Sequence, residues 1–227
     1  MSDTIGTFLR DYLIGTSDHD NLEGLEGNDI LDGGEGDDAL FGGADNDILL
    51  GFDGQDMLNG GAGDDLIFGE ADDDILRGGE GNDILDGGAG DDLIFGGAGN
   101  DELYGNEGND ILVGDTGNDF IVGEQGDDIV QGYGFSADEF DTLSGGDGAD
   151  TFVLGNEFNI FYQEGGFATI TDFDSSEGDK IRVFGSASNY SVEVNNNNTE
   201  IFFDGELLAV VENITNIQLS IDNFIFS

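Results

Sequence analysis

The sequence predicts an all-β chain, wound as a two-sheet parallel solenoid and closed by an antiparallel β cap. Three observations carry this expectation. A nine-residue repeat runs without a gap from Gly24 to Gln131, in twelve units of the form G-G-x-G-[N/D]-D-x-[L/I]-x, such as Gly78-Gly79-Glu80-Gly81-Asn82-Asp83-Ile84-Leu85-Asp86. Position 6 is Asp in all twelve, and position 8 is Leu, Ile or Val in all twelve. After Val153 the repeat gives way to aromatic and β-branched runs broken by turn residues. A strict short period decides the architecture ahead of local propensity, because one unit buries its apolar side only by stacking on the next.

Composition narrows the chemistry. Four basic residues stand against 52 acidic ones among 227, a formal net charge of −48. Such a charge argues against nucleic acid and anionic lipid as partners. Arg77 is the only basic residue between Gly24 and Gln131, so internal ion pairs do not neutralise the tract. Charge at this density means disorder or a bound counter-ion. The fixed register of the apolar residues argues for order and therefore for the ion. With no Cys, disulfides and thiolate metal sites are excluded. The opening segment carries Asp3, Arg10 and Asp11 and lacks a long apolar run, so it is not read as a cleaved signal peptide. Apolar runs stay far below the about 18 residues that span a bilayer, so no membrane insertion is expected.

Within a unit, positions 1 to 6 read as a turn, since Gly at 1, 2 and 4 allows angles that a Cβ forbids. Positions 7 to 9 read as a short strand with position 8 inward and 7 and 9 outward. Two units make one coil, and each strand pairs in parallel with the strand one coil away, about 4.8 Å along the axis. Outward Ile30, Ile48, Ile75, Ile84, Ile111 and Ile129 fit β-propensity, and as an apolar ladder they also fit a partner surface. The chain divides into an N-terminal cap (1–14), the solenoid (15–153) and a C-terminal β cap (154–227). A degenerate unit, Gly15-Thr-Ser-Asp-His-Asp20-Asn-Leu22-Glu, opens the solenoid. Gly132 to Ser144 reads as a unit with an insertion that keeps Asp141-Thr-Leu143, and the unit ending in Asp150-Thr-Phe152-Val closes it. In the cap, Tyr190–Val194, Thr199–Phe203 and Glu206–Val211 read as strands, with Asp204-Gly205 as a two-residue hairpin turn.

Stacking places the position-6 carboxylates about 5 Å apart along each edge, where each pair repels by about 1 kcal/mol even in water. The thin core makes this repulsion decisive, so the tract is expected not to fold stably alone. A hard divalent cation between turns removes the repulsion. Calcium fits best, because the available ligands are carboxylate and carbonyl oxygens, and magnesium demands tight octahedral sites.

The nonapeptide resembles that of the RTX ("repeats in toxin", hemolysin-type) family over roughly Gly15 to Val153. The resemblance implies a right-handed parallel β-roll with Ca2+ between adjacent turns. Carbonyls at positions 2 and 4 and the Asp at position 6 face one ion, and carbonyls 1, 3 and 5 two units later complete its shell. Carried over, Gly79, Gly81 and Asp83 face Gly96, Ala98 and Asn100. The implied carboxylate ligands are Asp20, Asp29, Asp38, Asp47, Asp56, Asp65, Asp74, Asp83, Asp92, Asp101, Asp110, Asp119, Asp128 and Asp150. The implied carbonyl ligands include those of Gly34, Gly36, Gly61, Gly63, Gly79, Gly81, Gly88, Gly90, Gly97 and Gly99. This gives about ten sites. Position 4 is Asp at Asp45 and Asp72, and position 2 is Leu25, Phe52, Glu70, Asn106, Asp115 or Glu124 in six units. Ligation there requires that these residues keep the backbone angles of glycine.

The stretch from Ala168 to Ile181 resembles the I-x-D-F-x-x-x-x-G-D-x-[I/L] segment that follows the roll in RTX proteins. Asp172, Asp174 and Ser176 have EF-hand spacing without the closing Glu, which reads as a turn with a weak extra cation site. The end, Ile221-Asp-Asn-Phe-Ile-Phe-Ser227, is similar to the uncleaved C-terminal signals of type I secretion. No catalytic constellation is found: His19 is the only His, which excludes the two-His zinc protease motif, and G-x-S-x-G is absent. The expected function is that of a secreted, non-enzymatic protein exported unfolded by type I secretion machinery and folded by calcium outside the cell. Two other readings stay open: a cell-surface, S-layer or adhesion component with a glycan or S-layer partner, and a carboxylate-based extracellular hydrolase.

Overall fold

In the computed structural model, residues 3–133, 138–156, 159–162 and 165–226 are described. Among them, eleven strands form one long sheet and twelve form another, with successive strands of the chain alternating between the two along the roll. Leu85 lies in register with Ile67 on one side and Leu103 on the other, the 18-residue coil that the repeat requires. Position 8 fills the space between the sheets, from Leu22 to Val130 and on through Leu143 and Phe152, all fully buried. Each such residue removes its side chain from water, roughly 2 kcal/mol apiece.

The strands are twice as long as the three residues expected. Ile84–Ala89, for example, covers positions 7 to 9 and then positions 1 to 3 of the next unit. Gly has low β-propensity, but in a stack of identical coils its N–H and C=O find ladder partners, and that satisfaction outweighs propensity. The turn shrinks to positions 4 to 6. Position 1 must be Gly because it faces the turn interior: a Cβ on Gly33 would lie 2.6 Å from Asp38 Oδ2 and 3.0 Å from the Gly51 carbonyl oxygen.

Both ends differ from the division read in the sequence. Asp3–Ile5 pairs in parallel with the strand at Asn21, and Tyr12–Ile14 with the strand at Ile30. Residues 3–14 thus hold a first coil, with Gly6, Asp11 and Leu13 in positions 1, 6 and 8. Beyond Val153 the parallel ladder also continues. Phe152 pairs with Ile181 and Ile181 with Phe224 in one sheet, while Leu143 pairs with Ile170 and Ile170 with Val211 in the other. The nonapeptide ends there because the connections lengthen, while the sheets run on. Within the second sheet, antiparallel pairing begins where Asn198–Phe203 and Tyr190–Asn195 close it, and a separate two-stranded antiparallel pair joins Gly155–Asn156 to Asn159–Ile160. Asp204 (φ 49°) and Gly205 (φ 91°) form the expected two-residue turn. Among the described residues no helix is long and apolar enough to cross a membrane.

Candidate metal centre

The repeat places its acidic residues in two files, one along each edge of the solenoid. In each file the backbone N–H of one position-6 Asp donates to Oδ1 of the Asp one coil later. Asp83 donates to Asp101 at 2.9 Å and Asp92 to Asp110 at 2.8 Å. One file runs from Asp11 through Asp29 and Asp119 to Asp141; the other runs from Asp20 through Asp38 and Asp128 to Asp150 and Asp179. These carboxylates are at most 4% exposed from Asp20 onward, although they belong to turns. The ladder spends one carboxylate oxygen. The other, Oδ2, has no hydrogen-bond partner in Asp29, Asp38, Asp47, Asp56, Asp65, Asp74, Asp83, Asp92, Asp101, Asp110, Asp119, Asp128 and Asp150. A buried carboxylate oxygen without a donor is costly, and a row of them calls for a cation.

The backbone around each orphaned oxygen fits a cation too. The Gly79 and Gly81 carbonyl oxygens lie against Gly97 and Gly99 of the next coil, while the Gly96 carbonyl oxygen points back toward Gly78. The Ala98 carbonyl accepts from the Gly81 N–H at 2.8 Å. Carbonyls of adjacent turns therefore point into the space between them, together with Oδ2. The irregular units keep this form. Leu25, Phe52, Glu70, Asn106, Asp115 and Glu124 take φ between 69° and 86°, and Asp45 and Asp72 take 73°, all in the left-handed region that the glycines occupy.

Electrostatics points the same way. Burial, with neighbouring Asp charges adding to it and the ladder hydrogen bond opposing it, raises Asp56 and Asp65 to about 7. The same causes raise Asp74 and Asp119 to about 8. At neutral pH these groups hold their charge poorly unless a cation sits beside them. The donor set contains no nitrogen or sulfur, and among the described residues no three His, Cys, Asp or Glu side chains converge. One carboxylate per turn with backbone carbonyls is a calcium-type set.

Several residues stand apart from this pattern. Asp20 is in its file, but its Oδ2 accepts from the Thr16 N–H at 2.6 Å and from Thr16 Oγ1 at 2.8 Å. Asp172 accepts from Ser144 Oγ and from the N–H groups of Gly145 and Gly146, and Asp174 from the Ser176 N–H and Oγ. In this segment Asp172 thus ties back to the strand at Ser144, while Asp174 closes its own turn. His19 is exposed, with Nδ1 2.9 Å from the Asp37 nitrogen, in a position-5 ladder. A companion ladder at position 5 joins Asp64, Asn82, Asn100 and Asn118 at 2.8–2.9 Å, and the Asn or Asp that recurs at position 5 of the repeat is its signal in the sequence.

The family described as RTX calcium-binding nonapeptide repeat (4 copies) matches at residues 14–49, 50–85, 77–112, 104–136 and 137–160, more than half of the chain. No curated protein matches. Among solved structures, the AlgE6R3 subunit from the Azotobacter vinelandii mannuronan C5-epimerase is 27% identical, over 66% of this chain and 78% of that one, with a TM-score of 0.34. The extracellular lipase LipA from Serratia marcescens is 17% identical over 99% of this chain, with a TM-score of 0.21, and this chain spans 40% of its length.

Proposed function

Because the chain belongs to the RTX calcium-binding nonapeptide-repeat family, we propose that it is a secreted β-roll protein whose roll folds only when calcium fills the spaces between its turns. The observation that carries this reading is the row of buried Oδ2 atoms without donors, from Asp29 to Asp128 and at Asp150. Those carboxylates, with carbonyls such as those of Gly79 and Gly81 on one turn and Gly96 and Ala98 on the next, would hold the ions. Bound calcium would supply positive charge and no redox chemistry. About ten ions would offset roughly 20 of the 48 negative charges.

Without calcium, the buried like charges oppose the stack and the thin core does not outweigh the ordering of the backbone. In the low calcium of a cell interior the chain stays open, which suits export through type I secretion machinery read from the C-terminal segment. Outside, calcium at about 1 mM suits sites of extracellular affinity, and binding is folding. The role is a binding and structural one. The repeat carboxylates lie inside turns, out of reach of a polymeric substrate, which disfavours a carboxylate hydrolase. Small-angle scattering tests the proposal. In chelator the radius of gyration should approach about 50 Å, that of an unfolded chain of this length, and in millimolar calcium it should fall to roughly 20 Å. A compact particle in both conditions would refute it.

A further inference from the structure

The two carboxylate files end at Asp11 and Asp20 on the N-terminal side, and at Asp141 and Asp179 on the C-terminal side. In all four, Oδ2 has a protein donor. Thr7 gives its N–H at 2.6 Å and Oγ1 at 2.8 Å to Asp11, and Thr16 gives the same pair at the same distances to Asp20. The buried Tyr162 hydroxyl donates to Asp141 at 2.6 Å, and the Asp174 N–H donates to Asp179 at 2.7 Å. Every carboxylate between these ends lacks such a donor.

At the two N-terminal ends the backbone differs as well. Every turn with an orphaned Oδ2 has left-handed residues at positions 2 and 4, as at Gly79 and Gly81. Thr7 and Thr16 do not take a positive φ, and neither do Leu9 and Asp18 at position 4. A β-branched residue resists that region. The turn therefore settles with the Thr N–H and hydroxyl aimed at its own Asp. The position-4 carbonyl turns with it: a Cβ on Gly36 would meet the Asp18 carbonyl carbon before its oxygen, whereas one on Gly54 would meet the Gly36 oxygen first.

We propose that the chain itself sets the length of each calcium file, with Thr7, Thr16, Tyr162 and the Asp174 N–H standing where calcium stands elsewhere, so that Asp11, Asp20, Asp141 and Asp179 bind no ion. This rests on the calcium reading above. It takes Asp20 out of the ligand set that the family resemblance implies. The Thr–Asp pairs are four residues apart, so each closes within one turn and needs no neighbouring coil. The files begin and end on hydrogen-bonded, metal-free turns, and no half-built site is left facing solvent.

Native mass spectrometry of the full chain in calcium chloride tests this by counting bound ions. Asp92→Asn should carry about one ion fewer than the unaltered chain, while Asp20→Asn and Asp141→Asn should carry the same number. Thr16→Gly, which frees the carboxylate and permits a left-handed position 2, should gain about one ion. Thr16→Ser keeps the hydroxyl and should leave the count unchanged. Circular dichroism on the same samples establishes that each variant is folded. Loss of an ion in Asp20→Asn, or an unchanged count in Thr16→Gly, would overturn the inference while leaving the calcium reading standing. An unaltered chain that binds no calcium would overturn both.

Discussion

The interior of the roll and its C-terminal end share the same two sheets and are stabilised by different forces. In the roll each nine residues bury one aliphatic side chain, such as Leu85, and one carboxylate, such as Asp83, whose second oxygen has no donor. At the C-terminal end, rings take over: Tyr190 packs on Phe203 at 5.1 Å, Phe224 on Phe226 at 5.7 Å and Phe152 on Phe173 at 6.2 Å. There the buried Asp179 receives two N–H bonds, and the Thr199 hydroxyl donates to the Ile214 carbonyl. A parallel ladder is thus compatible with either solution. Where aromatic burial is available, polar groups are satisfied internally; where it is not, the second carboxylate oxygen is left without a protein donor.

The largest effect separating the two regions should be calcium removal. With calcium chelated, amide exchange should accelerate by several orders of magnitude at the core strands of the roll, for example around Leu85. It should accelerate less at Ile201 and Leu208, whose hairpins are local. Equal loss of protection in both regions would erase the comparison.

Core truncation comes next. Leu85→Ala and Ile201→Ala should each cost about 2–5 kcal/mol, since both side chains are fully buried. Leu85→Ala should move the calcium midpoint of folding upward. Ile201→Ala should lower thermal stability with little change in that midpoint. A calcium titration followed by melting in saturating calcium distinguishes the two.

Acidity should act oppositely on the empty and filled roll. Burial raises Asp74 and Asp119 to about 8 from an ordinary value of 3.8, so the folded apo roll prefers protonated carboxylates. Their destabilising contribution is full above pH 8 and disappears as pH falls below 3.8. Chelated protein should therefore gain β structure on acidification across that window, while calcium affinity falls across it because protons compete for the same oxygens. Far-UV dichroism of the chelated chain at about pH 4 and about pH 8 checks the first, and calcium titrations at both check the second.

The smallest effect concerns backbone strain. Phe52 holds φ 77° at position 2 and is exposed, so its ring contributes little to packing. Phe52→Gly should relieve strain worth about 1 kcal/mol, partly offset by glycine's chain entropy, for a net gain of about 0.5 kcal/mol in denaturant unfolding.

The period makes most of this fold legible. Leu at position 8 and Asp at position 6 fix the core column and the carboxylate files through their spacing alone. What escapes the period has physical reasons. The first coil is hidden because Gly6-Thr-Phe-Leu-Arg-Asp-Tyr-Leu-Ile14 keeps only the Gly, Asp and Leu that geometry demands. The strand residues at positions 1 to 3 are hidden because ladder hydrogen bonds override the propensity of Gly. The continuation past Val153 is hidden because its strands are reached by longer, aperiodic connections. Thr7 and Thr16 are a readable signal, since a β-branched residue at position 2 is at odds with the left-handed angle required there. Tyr162 is not, because its partner Asp141 lies 21 residues away in the chain.

If filling the files with calcium folds the roll, far-UV circular dichroism during calcium titration of the chelated chain will register it. The expected result is a cooperative change from coil to β signal with calcium, and none with magnesium at the same concentration. A chelated chain that already shows the full β signal and ignores calcium would contradict it.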